Sequence, residues 1–353
     1  MKILQVCPRY YPFVGGVEEH VRNISERLVK KHDVIVATTD PSRILPNEEI
    51  INGVKVVRFK SWAPHESYFF SRQLRKYLIG SSQHFDIVEA HTYSAFPALY
   101  AVQAKGKNKL VFKPHYHGAA HTLFRTLLYK PYKFFGREIF EKADKVVCVS
   151  LYEKSLVLRD FALDEEKVKV IPNGVSLQEF KGLTKGKKGH PTILTVGRLE
   201  RYKGIQYLIG VLPRLDRCTT LEVVGKGPYK RNLVGLSRKL NVASRVNFHQ
   251  DLPRNELLQK YADASVFCLL SEHEAYGMSI AEALCAKTPC IVANASALRE
   301  WIDQENCFGI DFPINLDTLR DLIGKVIGRQ ANTLRVLDWD EVVEKLLEVY
   351  KSC

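Results

Sequence analysis

Two carboxylates, Glu274 and Glu282, frame the run Ser271-Glu-His-Glu-Ala-Tyr-Gly-Met-Ser-Ile-Ala-Glu-Ala-Leu-Cys285, which follows an apolar stretch and opens a helical pattern. In open α/β sheets ligands bind in the crevice beyond the carboxyl ends of the strands, where Glu274 falls. Glu282, in the first helical turns, is placed to hold a ribose hydroxyl pair. A purely structural alternative competes with this: with Ser279 as N-cap, Glu282 becomes the third helical residue and completes a capping box. A second constellation is Gly197-Arg198-Leu-Glu-Arg-Tyr-Lys203-Gly204, which leaves a strand and leads into the next helix. A bidentate guanidinium and a point-charge ammonium there suit the neutralisation of a leaving diphosphate.

Other motifs are weaker. Gly15 and Gly16 join the first strand to the first helix and let a backbone approach a phosphate at a helix amino terminus. Gly225-Lys226-Gly227 begins a dinucleotide-type loop, but Lys230 stands where a third glycine would allow close helix packing. His115, His117 and His121 lie together without soft-ligand company, so no metal is expected. No Walker frame, G-x-S-x-G or H-E-x-x-H occurs, which removes P-loop, serine-hydrolase and zincin chemistry.

The elements that must carry these residues alternate. Strands are expected at Lys2–Cys7, Asp33–Thr39, Val54–Phe59, Asp86–His91, Leu110–His115, Lys145–Ser150 and Val168–Ile171, with a helix over Val17–Lys31. The rhythm restarts with Thr192–Gly197, Thr220–Gly225, Val246–Gln250, Ser265–Leu270 and Pro289–Ala293. Two α/β domains with parallel sheets follow, in keeping with a chain of 353 residues. Residues 181–189 hold four lysines and three glycines and read as the linker. Trp339 to Tyr350 has apolar residues at helical spacing and must pack on something. The net charge of +13 fits a nucleotide ligand or an anionic membrane surface as well as nucleic acid. Eight cysteines without a C-x-x-C pair read as buried reduced thiols, and a start lacking a signal-peptide core reads as cytoplasmic.

Together these residues resemble the retaining family 4 glycosyltransferases of the GT-B fold, over nearly the whole chain. The resemblance rests on Gly15-Gly16, Asn173-Gly174-Val175, Gly197-Arg198 with Lys203-Gly204, and Glu274 with Glu282. It implies two Rossmann-like, doubly wound α/β domains facing across a cleft. Residues 1–180 would bind the acceptor, residues 181–335 the nucleotide sugar, and residues 336–353 would cross back to the first domain. It further implies that Arg198 and Lys203 hold the diphosphate, that Glu282 holds the ribose, and that Glu274 with the amides of Ala275, Tyr276 and Gly277 holds the donor sugar. Gly15, Gly16, Gly197, Gly225, Lys226 and Gly227 complete the expected nucleotide-sugar site. His115 is preferred over His117 as the active-site histidine because it directly follows its strand. Ala295-Ser296-Ala297-Leu298 departs from the family, which carries glycines there.

The implied activity is transfer of a sugar from a UDP-sugar or GDP-mannose to an acceptor hydroxyl, lipid-linked or on a polysaccharide, with retention and without metal or any cofactor beyond the donor. A nucleotide-sugar hydrolase or epimerase, or a non-catalytic nucleotide-sugar sensor, are the alternatives; nucleic acid is not an expected partner. Residues 121–137 and 68–77 mix cations with aromatics, a pattern suited to peripheral attachment at an anionic lipid interface.

Overall fold

Runs such as Ile3-Leu4 and Phe267-Cys268 are buried on both sides, which a parallel sheet covered by helices on each face provides. The computed structural model describes residues 1–116, 118, 136–186, 189–332 and 336–353. It divides the chain into two units: Met1–Gly174 with Leu337–Cys353, and Val175–Val336.

The first unit is built on β1 (Lys2–Cys7), β2 (Asp33–Asp40), β3 (Glu48–Ile51), β4 (Val54–Lys60), β5 (Ile87–His91), β6 (Lys109–Lys113), β7 (Lys145–Cys148) and β8 (Val168–Val170). Their order is β3-β4-β2-β1-β5-β6-β7-β8, parallel except for β3 against β4. The strand order therefore reverses its direction of growth at β1, between β1 and β5, and the loops after these two strands flank the switch point. Edge strand β3 carries two glutamates and buries nothing, so it gave no apolar run to read. Strand β6 stops at Lys113, short of the expected His115. Pro114 has no N–H to continue the ladder, and His115 turns into the left-handed region at φ 49°.

The carboxy-terminal helix, Trp339–Lys351, belongs to this unit. Asp338 and Glu341 form a capping box at its start, and Trp339, Val342, Leu346 and Tyr350 form its buried face. Gly174 is needed where it meets the helix, since a Cβ there would lie 2.8 Å from the Trp339 amide nitrogen. At the other end, the Tyr350 hydroxyl donates to buried Glu89 Oε2 at 2.5 Å and accepts from Gln5 Nε2 at 3.3 Å.

The expected lipid-facing stretch 68–77 is organised differently. Ser71 caps a helix over Arg72–Ser81, Phe69 is buried, and the rings of Phe70 and Tyr77 pack on Phe96 and Phe59 at 4.2 and 5.1 Å, while Arg72, Arg75 and Lys76 face solvent. Aromatics and cations thus occupy opposite sides, as on an ordinary solvated helix. Residues 121–135, with His117 and His121, lie outside the described residues. No helix among the described residues is long and apolar enough to cross a membrane. All eight cysteines are free; five are buried, and Cys218 is exposed.

The second unit contains β9 (Thr192–Val196), β10 (Thr220–Val224), β11 (Val246–His249), β12 (Val266–Leu269), β13 (Cys290–Ala293) and β14 (Cys307–Ile310), all parallel, in the order β11-β10-β9-β12-β13-β14. This is the doubly wound order of a mononucleotide-binding pair, with its switch point between β9 and β12. The unit begins ahead of the lysine-rich stretch, not at residue 181. Val175 and Phe180 pack in a cluster with Ala281 and Val336, which draws the turn Leu177–Phe180 into it. Inside the sheet, buried Glu222 accepts from Lys260 and His249 at 2.7 Å and from Asn247 at 2.8 Å. Burial alone would raise its pKa, but these donors and the lysine's charge win and bring it down to about 2.

Two outcomes are expected. Tyr350→Phe, which withdraws a donor from a buried carboxylate, should destabilise the first unit by about 1–3 kcal/mol, read as a lower urea midpoint with Trp339 fluorescence as reporter. Because Glu222 is depressed in the folded state, its ionised form stabilises the second unit fully above about pH 4.5, and this is lost as pH falls toward 2. Wild type should exceed Glu222→Gln by about 3 kcal/mol at pH 7, with the gap closing over that window in parallel melts.

Candidate functional site

The carboxyl ends of β9 and β12 meet at the switch point, and backbone geometry there depends on glycine. Gly197 leaves β9 at φ 156°, and a Cβ on Gly225, at φ 147°, would lie 1.9 Å from the Gly197 carbonyl oxygen. Gly204, at φ 74°, ends the turn Arg201–Lys203; a Cβ there would meet the Leu270 carbonyl oxygen at 2.1 Å. Only glycine lets these loops come so close.

That close approach brings Lys203 to Glu274. The Lys203 ammonium donates to Glu274 Oε1, and both side chains are mostly buried, at 14% and 15% exposure. Burial lowers the lysine pKa, but the charge of Glu274 and its hydrogen bond outweigh it and raise it, so Lys203 stays protonated. The Tyr202 ring lies 5.3 Å from the same ammonium. Arg198 is 60% exposed on the same turn and pairs with Glu200 at 3.4 Å. Lys226 is exposed and pairs with Asp251 at 2.6 Å, while Gly227 packs against the Leu199 carbonyl.

The loop carrying Glu274 is held from its far side. Ser296, itself left-handed at φ 50°, accepts from the Glu274 amide through Oγ at 3.0 Å, and Trp301 Nε1 donates to the Tyr276 carbonyl at 2.7 Å. The non-glycine segment 295–298 therefore works as a side-chain brace. Ala275 is buried beneath the loop, and Gly277, at φ 103°, is the N-cap of the helix Met278–Cys285. This settles the capping alternative: the third helical residue is Ile280, and Ser279 lies inside the helix. Glu282 instead accepts from Arg254 at 2.5 Å through Oε1 and from the Tyr261 hydroxyl at 2.9 Å through Oε2.

In the first unit, His115 stands at the carboxyl end of β6. Its ring lies 5.7 Å from that of His20 and 6.0 Å from that of His91. Fully buried Lys113 donates to His20 Nε2 at 2.9 Å, and His91 Nε2 bonds the Gln5 carbonyl oxygen at 2.7 Å. Burial, reinforced by the Lys113 charge, drives both His20 and His91 well below the ordinary imidazole pKa and keeps them neutral. Gly15 is the N-cap of the helix Gly16–Leu28, but Glu18 already sits against it, where a Cβ would meet Glu18 Oε2 at 2.4 Å. Glu18 is tied to Arg9 at 2.8 Å. The Glu18 carboxylate thus lies beside this helix end, where a bound anion was expected.

The structure thus gathers Gly197, Lys203, Glu274 and the Ala275–Gly277 loop at one switch point, with Arg198 exposed beside them. Sequence reasoning missed the roles of Tyr202, Arg254, Tyr261, Ser296 and Trp301: Tyr202 sits unremarked beside Lys203, and the other four reach the site from the helix Arg254–Asp263 and the turn Ser296–Trp301, away from the motifs.

Comparison with known proteins matches this division. The profile of Glycosyltransferase Family 4 covers residues 14–179, and that of Glycosyl transferases group 1 covers residues 178–335. An uncharacterized glycosyltransferase of Methanocaldococcus jannaschii is 27% identical over 99% of this chain and 98% of its own. Glycogen synthase of Mycobacterium tuberculosis is 28% identical over 86% of this chain and 80% of its own. Among solved structures, Anabaena Alr3699/HepE in complex with UDP-glucose superposes with a TM-score of 0.81 at 18% identity, covering 100% of both chains. Sucrose-phosphate synthase of Thermosynechococcus elongatus superposes at 0.78 and 17%, covering 100% of this chain and 99% of its own.

Proposed function

Since the chain belongs to the group 1 glycosyltransferases of GT-B fold, we propose that it is a retaining, metal-independent hexosyltransferase that moves a sugar from a UDP-sugar to an acceptor hydroxyl. The observation that carries this reading is the buried Lys203–Glu274 pair at the switch point of the second unit, with Arg198 beside it. A similar fold solved with UDP-glucose supports a uridine donor over GDP-mannose.

In this reading Arg198 and Lys203 take up the charge that grows on the departing diphosphate, the work a divalent cation would otherwise do. Glu274 and the amides of Ala275, Tyr276 and Gly277 hold the donor sugar, and Glu282 accepts from the ribose hydroxyls. The bond from the anomeric carbon to the phosphate oxygen breaks, and the acceptor oxygen bonds that carbon on the same face. The acceptor proton passes to the leaving phosphate oxygen. His115 is the first unit's catalytic candidate. The acceptor is lipid-linked or a glycan, and residues 121–137 are assigned to an anionic membrane surface, to be tested by salt-sensitive vesicle sedimentation.

Lys203→Ala and Arg198→Ala should each cut turnover by on the order of 10²-fold, the exposed Arg198 variant keeping wild-type stability and Lys203→Ala melting lower because Glu274 loses its countercharge. Wild-type rates in either would sink the assignment. Nucleotide release that needs no acceptor would favour the hydrolase alternative. Melting with increasing UDP should raise the midpoint more than GDP does, and chelation should leave the rate unchanged.

A further inference from the structure

The carboxylate of Glu282 is not presented by its helix alone. Both oxygens are already engaged, Oε1 by Arg254 at 2.5 Å and Oε2 by the Tyr261 hydroxyl at 2.9 Å. Tyr261 is fully buried and cannot shift; Arg254 is itself held, with Nε and Nη2 both donating to Glu179 Oε2 at 3.0 and 2.8 Å. A carboxylate oxygen accepts from about two donors. One donor on each oxygen therefore fixes the carboxylate plane and leaves each oxygen one further acceptor direction. Two adjacent free acceptor directions suit two adjacent hydroxyls. Glu282 is 14% exposed, so the carboxylate remains reachable.

We propose that Arg254, braced by Glu179, is the positioning residue that orients Glu282 for a vicinal diol, so that recognition of the nucleotide's ribose depends on a residue that does not touch the nucleotide. The proposal rests on the assignment of Glu282 to the ribose made above. Arg254 acts through geometry as well as charge. Its planar fork spans Glu282 and Glu179 together, which the single ammonium of a lysine does less well. Its pKa is raised because the Glu282 and Glu179 carboxylates outweigh burial, so the guanidinium is a permanent countercharge to Glu282.

The test compares UDP with 2′,3′-dideoxy-UDP, titrated calorimetrically into the full chain. Glu282→Gln should weaken UDP by about tenfold or more, the scale of one charge-assisted hydrogen bond, and leave the dideoxy compound nearly unaffected. Arg254→Met should show the same diol-selective loss, Arg254→Lys should recover part of it, and Glu179→Gln should give a smaller loss of the same kind. In turnover these losses should fall on KM for the donor more than on kcat. Wild-type UDP affinity in Arg254→Met while Glu282→Gln is impaired would overturn the inference and leave Arg254 a surface tether. Equal losses for UDP and its dideoxy form in the Arg254 variants would also overturn it, since orientation toward a diol predicts selectivity. Wild-type binding in Glu282→Gln would overturn the ribose assignment itself and this inference with it. Glu179→Gln leaves Arg254 and Glu282 in place, so the question stays answerable if Arg254→Met folds poorly.

Discussion

The buried contact between Lys203 and Glu274 is the constraint around which the second unit's active edge is arranged. Taking two opposite charges out of water is costly, and such a pair persists only where geometry and further polar contacts compensate. Here the compensation is local. The Tyr202 ring flanks the ammonium, the Glu274 amide is satisfied by Ser296, and the Glu272 amide donates to the Tyr202 carbonyl at 2.9 Å. The loops carrying the two residues can meet only because Gly204 tolerates the Leu270 carbonyl at a distance no side chain would allow. A glycine, a serine in a left-handed conformation and a half-buried tyrosine are thus consequences of placing one cation beside one anion at the end of two strands.

Much of the fold was readable because parallel strands buried on both faces leave continuous apolar runs, and because glycines mark where those runs turn. The parts that escaped reading are those with no such run. β3 presents glutamates on a sheet edge, and Phe180 joins the second unit through packing that follows no spacing. Within the site, Lys203, Glu274 and Glu282 were visible because a strand-to-helix turn concentrates them. Their partners were not, since Arg254 and Tyr261 come from a helix beyond β11, and Ser296 and Trp301 from the turn beyond β13. The glycine pair at 15 and 16 shows the converse: the motif was legible, but the Glu18 carboxylate beside it was not.

The first unit stores its polarity differently. Gln5, Glu89, His91, Lys113 and His20 lie in its interior and are bonded largely to one another, with the Tyr350 hydroxyl closing the network from the carboxy-terminal helix. Glu153, fully buried, is pushed up to about 7 by burial even though the amides of Val149 and Tyr116 and the charge of Lys113 oppose it. A polar interior of this kind specifies one arrangement, because a shifted strand or an undocked helix would strand several polar groups without partners. It explains why a helix distant in sequence is integral to the unit.

The two carboxylates of the motif in the second unit differ in what binding must displace. Glu282 keeps a free acceptor direction on each oxygen while its partners stay in place, so a diol can be added without breaking a contact. Lys203 already spends its charge on Glu274, and on the proposed reading an arriving diphosphate would have to share that ammonium. On that reading Glu274, once its lysine turned toward phosphate, would need other donors, and sugar hydroxyls are the donors that a nucleotide sugar brings with it. On the proposed reading the ion pair couples recognition of the two halves of the donor: phosphate drawn to Lys203 would free the carboxylate that the sugar then satisfies.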